Sequence, residues 1–277
     1  MQTTDPFSGI RLKLQRAYDQ ISALKGEIVA FLDGDPYEPA IDFHTRARTP
    51  KLLVEAEIRM IVKRPCPPSW SVIIGEIIHN LRSALDHCVY QLVIHDTDAP
   101  PASRDKTQFP ITLTPEQFQA QSPTMLKGVG GDGATLIKAS QPFSTGDNDK
   151  SPLWQLNQLS NFDKHRTIHL TGATLESFDF SFPPIVNPGE IAKNLAGRGA
   201  FENNTVIARA RMVSDKPMFG NQQVNVKAKL LFNIVFGQET PIVGEQSVFD
   251  TLLVIADRTR DVLSRISLEI LKTEFKV

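Results

Sequence analysis

Residues 51–94 read KLLVEAEIRMIVKRPCPPSWSVIIGEIIHNLRSALDHCVYQLVI, and a change of period inside this stretch decides the fold class. Leu52, Val54, Ala56, Ile58, Met60 and Val62 alternate with Lys51, Glu55, Glu57, Arg59 and Lys63, the period of two expected of a half-buried strand. Pro65, Pro67 and Pro68 break that strand, and Ser69 offers an N-cap. From there to Ile94 the apolar residues Ile74, Ile77, Leu81, Leu85, Cys88 and Leu92 recur at helical spacing.

Working outward, Leu14, Tyr18, Ile21, Leu24, Ile28 and Phe31 predict a core-covering helix over Ile10–Leu32, stopped by Asp33-Gly34-Asp35-Pro36. A strand over Tyr37–His44 and a hairpin loop over Thr45–Pro50 lead into the strand already described. Downstream, Asp96–Asp149 reads as irregular, with short helical pieces near Pro115–Gln121 and Ala134–Ser140 separated by Gly128, Gly130, Gly131 and Gly133. A connection of that length in a compact domain often covers or gates a site.

A helix over Ser151–His165 follows, then a strand from Thr167 with Phe178, Phe180 and Phe182 on one face. Further strands are expected over Val206–Val213 and Val224–Phe236, and a closing helix over Ser247–Phe275. The order predicts an α+β protein, a helical bundle packed against an antiparallel sheet of about five strands. No repeat, low-complexity tract or dividing linker appears, so the expectation is one domain over residues 1–277 with a long irregular insertion at about 96–150.

Composition narrows the function classes. The chain has 277 residues, 41% of them hydrophobic, enough to bury a substantial core. Lys and Arg total 30 against 31 for Asp and Glu, so no global field draws it to nucleic acid or an anionic membrane, and any such binding needs a local patch. Cys66 and Cys88 are too few for a disulfide framework or a zinc ribbon. With no leader-like N-terminus and no run of about 18 apolar residues, a cytoplasmic protein without a membrane partner is expected.

The chemistry concentrates on the polar side of the 69–94 helix. Glu76, His79, Asn80, Ser83, Asp86, His87 and Tyr90 fall within an arc of about 120° opposite the apolar residues. Such a face is often plain solvated surface, but it is then rich in Lys, and this one has none. Short side chains with fixed hydrogen-bonding geometry suit a partly buried, preorganised site.

Arg82 borders this arc, and Arg82-Ser83-Ala84-Leu85-Asp86-His87 places an arginine ahead of a histidine. The helix resembles the signature helix of HEPN domains, helical bundles that often carry Arg-x(4–6)-His. That resemblance implies metal-independent cleavage of RNA, without a cofactor, commonly across a homodimer and in a stress or phage-defence setting. On it, His87 acts as general acid or base, Arg82 holds the phosphate, and His79, Asn80 and Asp86 orient them, with Glu76 a further candidate on the same face. Ser83 stands where active members often carry a more polar residue, and Arg82 and His87 lie about 140° apart on an ideal helix. The wider wording, His79-Asn80-Leu81-Arg82-Ser83-Ala84-Leu85-Asp86-His87 with the later Asp163-Lys164-His165-Arg166, resembles an uncharacterised family of bacterial proteins.

Asp163, Lys164, His165 and Arg166 form the second concentration of reactive groups and are expected to support the first. If the helix from Ser151 continues through them, Asp163 and Arg166 fall on its apolar side, where a paired Asp and Arg would act as a structural salt bridge. A competing reading takes Glu76-x-x-His79 as half of a metal site completed by Asp163 and His165. A third reading is a non-catalytic module that binds a ligand or a protein. The glycines at 128–133 lack the context of a phosphate loop and read as a flexible turn. Arg209, Arg211, Lys227 and Lys229 would make a basic strip if their strands pair.

Overall fold

The computed structural model describes residues 6–48, 51–103, 106–181, 199–214, 227–272 and 275. Its elements in chain order are α1 (Ser8–Asp33), β1 (Tyr37–Arg48), β2 (Lys51–Val62), α2 (Ser69–Thr97), α3 (Pro115–Met125), α4 (Gly131–Ala139), α5 (Pro142–Thr145), a 3-10 turn (Asn148–Lys150), α6 (Pro152–Asp163), β3 (Leu170–Ser181), β4 (Gly199–Phe201), β5 (Thr205–Ser214), β6 (Lys227–Phe236) and α7 (Val248–Glu269). The protein is α+β, as the change of period predicts.

The chain gathers into two compact units, and each is assembled from segments distant in sequence. The helical unit comprises residues 1–26, 68–169 and 239–277, and the other comprises residues 27–67 and 170–238. Because the chain leaves and re-enters each unit, no single linker marks a boundary.

The helical unit is built on α2. Its apolar stripe, Ile74, Ile77, Leu81, Leu85, Cys88 and Leu92, is fully buried, as its spacing predicts. Leu14, Ile21 and Leu24 of α1, Leu153, Leu156 and Leu159 of α6, and Leu252, Ile255, Leu263 and Ile266 of α7 supply the rest of the core. Ser69 is the first residue inside α2 and does not cap it. Pro68 occupies the cap position with helical dihedrals (φ −61°, ψ −24°) and makes no side-chain cap hydrogen bond. The adjacent hydroxyl of Ser71 instead donates to the Ile168 carbonyl at 2.5 Å, fixing the start of α2 to the chain beyond α6.

The short helical pieces expected within the long connection after α2 are present as α3 and α4, with α5 and the 3-10 turn following them. Thr114 caps α3 by accepting from the Gln117 amide, and Pro115 stands at the first helical position where its missing N–H costs nothing. Gly130 caps α4, and its N–H donates to Asp96 Oδ2 at 2.6 Å, so the glycine-rich turn is tied to the end of α2.

In the second unit β1 pairs with β2 from Tyr37↔Val62 to Arg48↔Lys51, so the pairing continues into the expected loop and only residues 49 and 50, outside the described set, separate the strands. Strands from both parts of the chain join, as expected, when β5 adds to β2. The described strands form two antiparallel sheets, β1-β2-β5 and β4-β3-β6, in place of one. Arg209 and Arg211 therefore belong to a different sheet from Lys227 and Lys229, and the expected basic strip is not assembled by strand pairing. Arg209 donates to Glu57 across β2 and β5 at 2.9 Å. Tyr37 packs edge-on against Phe201 and Phe232, with centroids 4.9 and 5.2 Å away, and a Cβ at Gly172 would come within 2.8 Å of the Tyr37 and Phe201 rings. Phe182, and the start of the strand expected at Val224, lie outside the described residues.

Candidate functional site

Helix α2 is positioned by its apolar side, and its polar side divides into two structures with different chemistry. The C-terminal half of the stripe is a bracket. Arg82 Nη2 donates to the Phe109 carbonyl at 2.7 Å and lies 3.0 Å from Asp86 Oδ1, while that same oxygen accepts from the Phe109 amide at 2.9 Å. Both side chains are largely buried, at 14% and 27% exposure. Burial pushes the Asp86 carboxyl up, and Arg82 and the Phe109 amide oppose it. Burial likewise lowers the Arg82 guanidinium and Asp86 opposes this, so each group supports the charge of the other in the buried pair. Arg82 Nη1 is buried without a hydrogen-bond partner. This bracket clamps the extended chain at Phe109, itself fully buried, onto α2.

The N-terminal half is a cleft. Arg16 and Gln20 of α1, Val72, Gly75, Glu76, His79 and Asn80 of α2, and Asp163 at the end of α6 line an open pocket of about 570 Å³. Its floor is preorganised. Gln20, buried at 7% exposure, donates through Nε2 to Glu76 Oε2 at 2.6 Å and accepts from Asn80 Nδ2 at 3.3 Å. With both ends of its amide engaged, Gln20 fixes the rotamers of the residues on either side.

Above this floor stand Arg16, His79 and Asp163. None of the three makes a hydrogen bond or an ion pair with a described residue. Asp163 reaches the cleft because α6 ends there and because position 75 has no side chain: a Cβ at Gly75 would lie 2.8 Å from each carboxylate oxygen of Asp163. Burial raises the Asp163 carboxyl above the usual carboxylate range, and His79 partly offsets this.

The second cluster is therefore split. Asp163 joins the stripe, and Lys164 lies close enough to Asp86 to act on its charge. His165 and Arg166 are exposed and do not line the cleft. Because α6 stops at Asp163, the salt bridge expected from a continuing helix does not form, and Arg166 sits over the Phe162 ring at 5.9 Å. Among the described residues no three His, Cys, Asp or Glu side chains converge as metal ligands, so Glu76, His79, Asp163 and His165 do not make the four-ligand set considered above. Cys88 is fully buried and its thiol is pushed up to about 12, which leaves no thiolate for nucleophilic chemistry.

Four cleft residues carry no mark in the stripe. Arg16 and Gln20 look like ordinary exposed-face positions of an amphipathic helix, and Val72 like a stray apolar residue. Gly75 did carry a signal: a glycine inside a 29-residue helix costs about 0.5–1 kcal/mol relative to alanine and so points to a close approach.

Among the described residues no helix is long and apolar enough to cross a membrane. Comparison of the chain with family models, with curated proteins and with solved structures gives no match.

Proposed function

We propose that the cleft between α1 and α2 is a binding site for a small dipolar molecule, one that presents an anionic or acceptor group to Arg16 and a hydrogen-bond donor to Asp163. The observation that carries this reading is the contrast within one pocket. Glu76 and Asn80 are fixed by Gln20, whereas Arg16, His79 and Asp163 make no hydrogen bond or ion pair with a described residue. Arg16 and His79 are exposed and Asp163 is partly buried, and open ionisable groups of both signs around a rigid floor favour a ligand that contacts them. His79 adds an imidazole whose ring nitrogens can donate or accept a hydrogen bond. The simplest probe is 4-aminobutyrate, with a carboxylate for Arg16 and an ammonium for Asp163. Calorimetry on the full chain is expected to give saturable binding that Arg16→Ala and Asp163→Asn each weaken by about tenfold, the effect of one charge-assisted contact. Binding unaffected by either substitution would remove the cleft from consideration.

Phosphodiester cleavage of RNA is the second reading, and one observation favours it. His87 is open to solvent on one side, and its partial desolvation together with Lys13 makes its imidazole more acidic than usual, a shift that favours the neutral form a general base needs. In this reading Arg82 cannot hold the phosphate while it holds Phe109 and Asp86. Degradation of RNA in EDTA, abolished by His87→Ala, supports this reading, and absence of degradation excludes it.

A further inference from the structure

The cleft is not uniform along α2. Asp163 stands over Gly75, where a Cβ would lie 2.8 Å from each carboxylate oxygen, and the helix fixes what surrounds that point. Val72 precedes Gly75 by one turn and His79 follows it by one turn, so both are its neighbours on the helix surface, with about 5–6 Å between Cβ positions. Glu76 is the next residue in the chain and stands in the same relation to Val72 and His79. Val72, Glu76 and His79 thus ring the carboxylate of Asp163, and all of them line the pocket.

The members of this ring differ in chemistry. Asp163 makes no hydrogen bond or ion pair with a described residue. Glu76 makes one hydrogen bond among the described residues, accepting from Gln20 through Oε2, so Oε1 is left to accept another. Val72 is apolar and 65% exposed, on a helix whose other apolar side chains face the core. The lining residues as a whole set two carboxylates against one guanidinium, that of Arg16. The donor end of a ligand therefore meets two anions and an aliphatic wall.

An ammonium and a guanidinium answer this differently. An ammonium is a compact, strongly hydrated charge, and an aliphatic wall displaces its water without replacing the contact. A guanidinium is planar and weakly hydrated, with its N–H donors in a rigid fork, so one charge can serve two carboxylates along its edges while a face rests on an aliphatic side chain. We infer that the cleft takes a guanidinium compound, its head bridging Asp163 and Glu76 against Val72 and its anionic or acceptor group at Arg16. This names the ligand class of the cleft and rests on the cleft being a ligand site.

Calorimetry on the full chain with paired probes tests it. 4-Guanidinobutyrate carries the fork, and 6-aminohexanoate places an ammonium the same number of bonds from its carboxylate, so the two differ in head group and not in reach. 4-Guanidinobutyrate is expected to bind about tenfold tighter, the effect of one further charge-assisted contact. Glu76→Gln keeps an acceptor for Gln20 while removing the charge, and it is expected to bring the ratio of the two affinities close to one. A ratio taken on one chain is insensitive to how much of a variant is folded. Equal affinities on the wild-type chain, or a preference that survives Glu76→Gln, overturn the guanidinium assignment and leave the cleft as a site for small dipolar molecules. If neither probe nor 4-aminobutyrate binds saturably, the assignment and the cleft fall together.

Discussion

The carboxylate of Asp163 lies over Gly75, so close that a single added carbon at position 75 would meet both of its oxygens at 2.8 Å. This contact joins the end of α6 to the second turn of α2 and brings an acid from one cluster of the sequence into the other. A glycine there is unfavourable for the helix alone, and the approach of Asp163 explains its presence.

Gly75→Ala and Asp163→Ala are therefore coupled. In the wild-type chain Gly75→Ala is expected to bring little or no stability, because the helix-propensity gain is offset by displacing the carboxylate. In an Asp163→Ala background the same substitution is expected to stabilise by about 0.5–1 kcal/mol. Chemical denaturation of the four chains measures the coupling, and equal effects in both backgrounds would contradict the contact.

Stability should also depend on pH through Asp163. Its carboxyl is raised in the folded chain by burial, with His79 opposing, so the folded state binds this proton more tightly than the unfolded state does. The resulting penalty is absent below the ordinary value of 3.8 and grows as pH rises through the folded value. Asp163→Asn is thus expected to melt higher than wild type at pH 7, with the difference vanishing towards pH 3. A difference that stayed constant over this range would contradict the assignment.

The bracket predicts a different signature. Arg82→Ala leaves Asp86 and the Phe109 carbonyl without their partner and is expected to cost about 2–3 kcal/mol. Hydrogen exchange should rise at the Phe109 amide, which donates to Asp86. Unchanged stability and protection in this variant would mean that the guanidinium does not clamp the chain.

For His87, burial is the main cause of its lowered proton affinity, Lys13 adds to it and Asp86 opposes. Lys13→Ala should raise the imidazole towards its usual 6.5, and NMR titration reads this without any ligand. The folded chain disfavours the proton on His87, so the stability this group contributes is present above 6.5 and falls as pH drops below it. A titration curve unmoved by Lys13→Ala would contradict this effect of Lys13.

Much of the fold is legible in the sequence because hydrophobic burial obeys local periods. The apolar stripe of α2 is buried as its spacing requires, and the alternation at 51–63 does mark a strand. What the period does not carry is partner choice. Nothing in Arg209 or Lys227 says that their strands enter different sheets, since pairing is decided between segments far apart. The site shows the same division. The stripe from Glu76 to Tyr90 was visible, but Arg82 and His87 look equally available in a helical wheel. Only the chain at Phe109 distinguishes the buried bracket from the exposed imidazole. Arg16 and Gln20 were invisible because a helix face shows its function only when its neighbour is known.

Arg16 is proposed to serve a binding cleft whereas Arg82 clamps the chain at Phe109, and one paired measurement separates the two roles. Thermal unfolding and calorimetric binding of 4-aminobutyrate are compared for Arg16→Ala and Arg82→Ala, each well below its melting temperature. The expected result is that Arg16→Ala melts with wild type and loses most of its affinity, while Arg82→Ala melts several degrees lower and binds as wild type does. The reverse pattern, a destabilised Arg16 variant with intact binding and a stable Arg82 variant without it, would contradict the account.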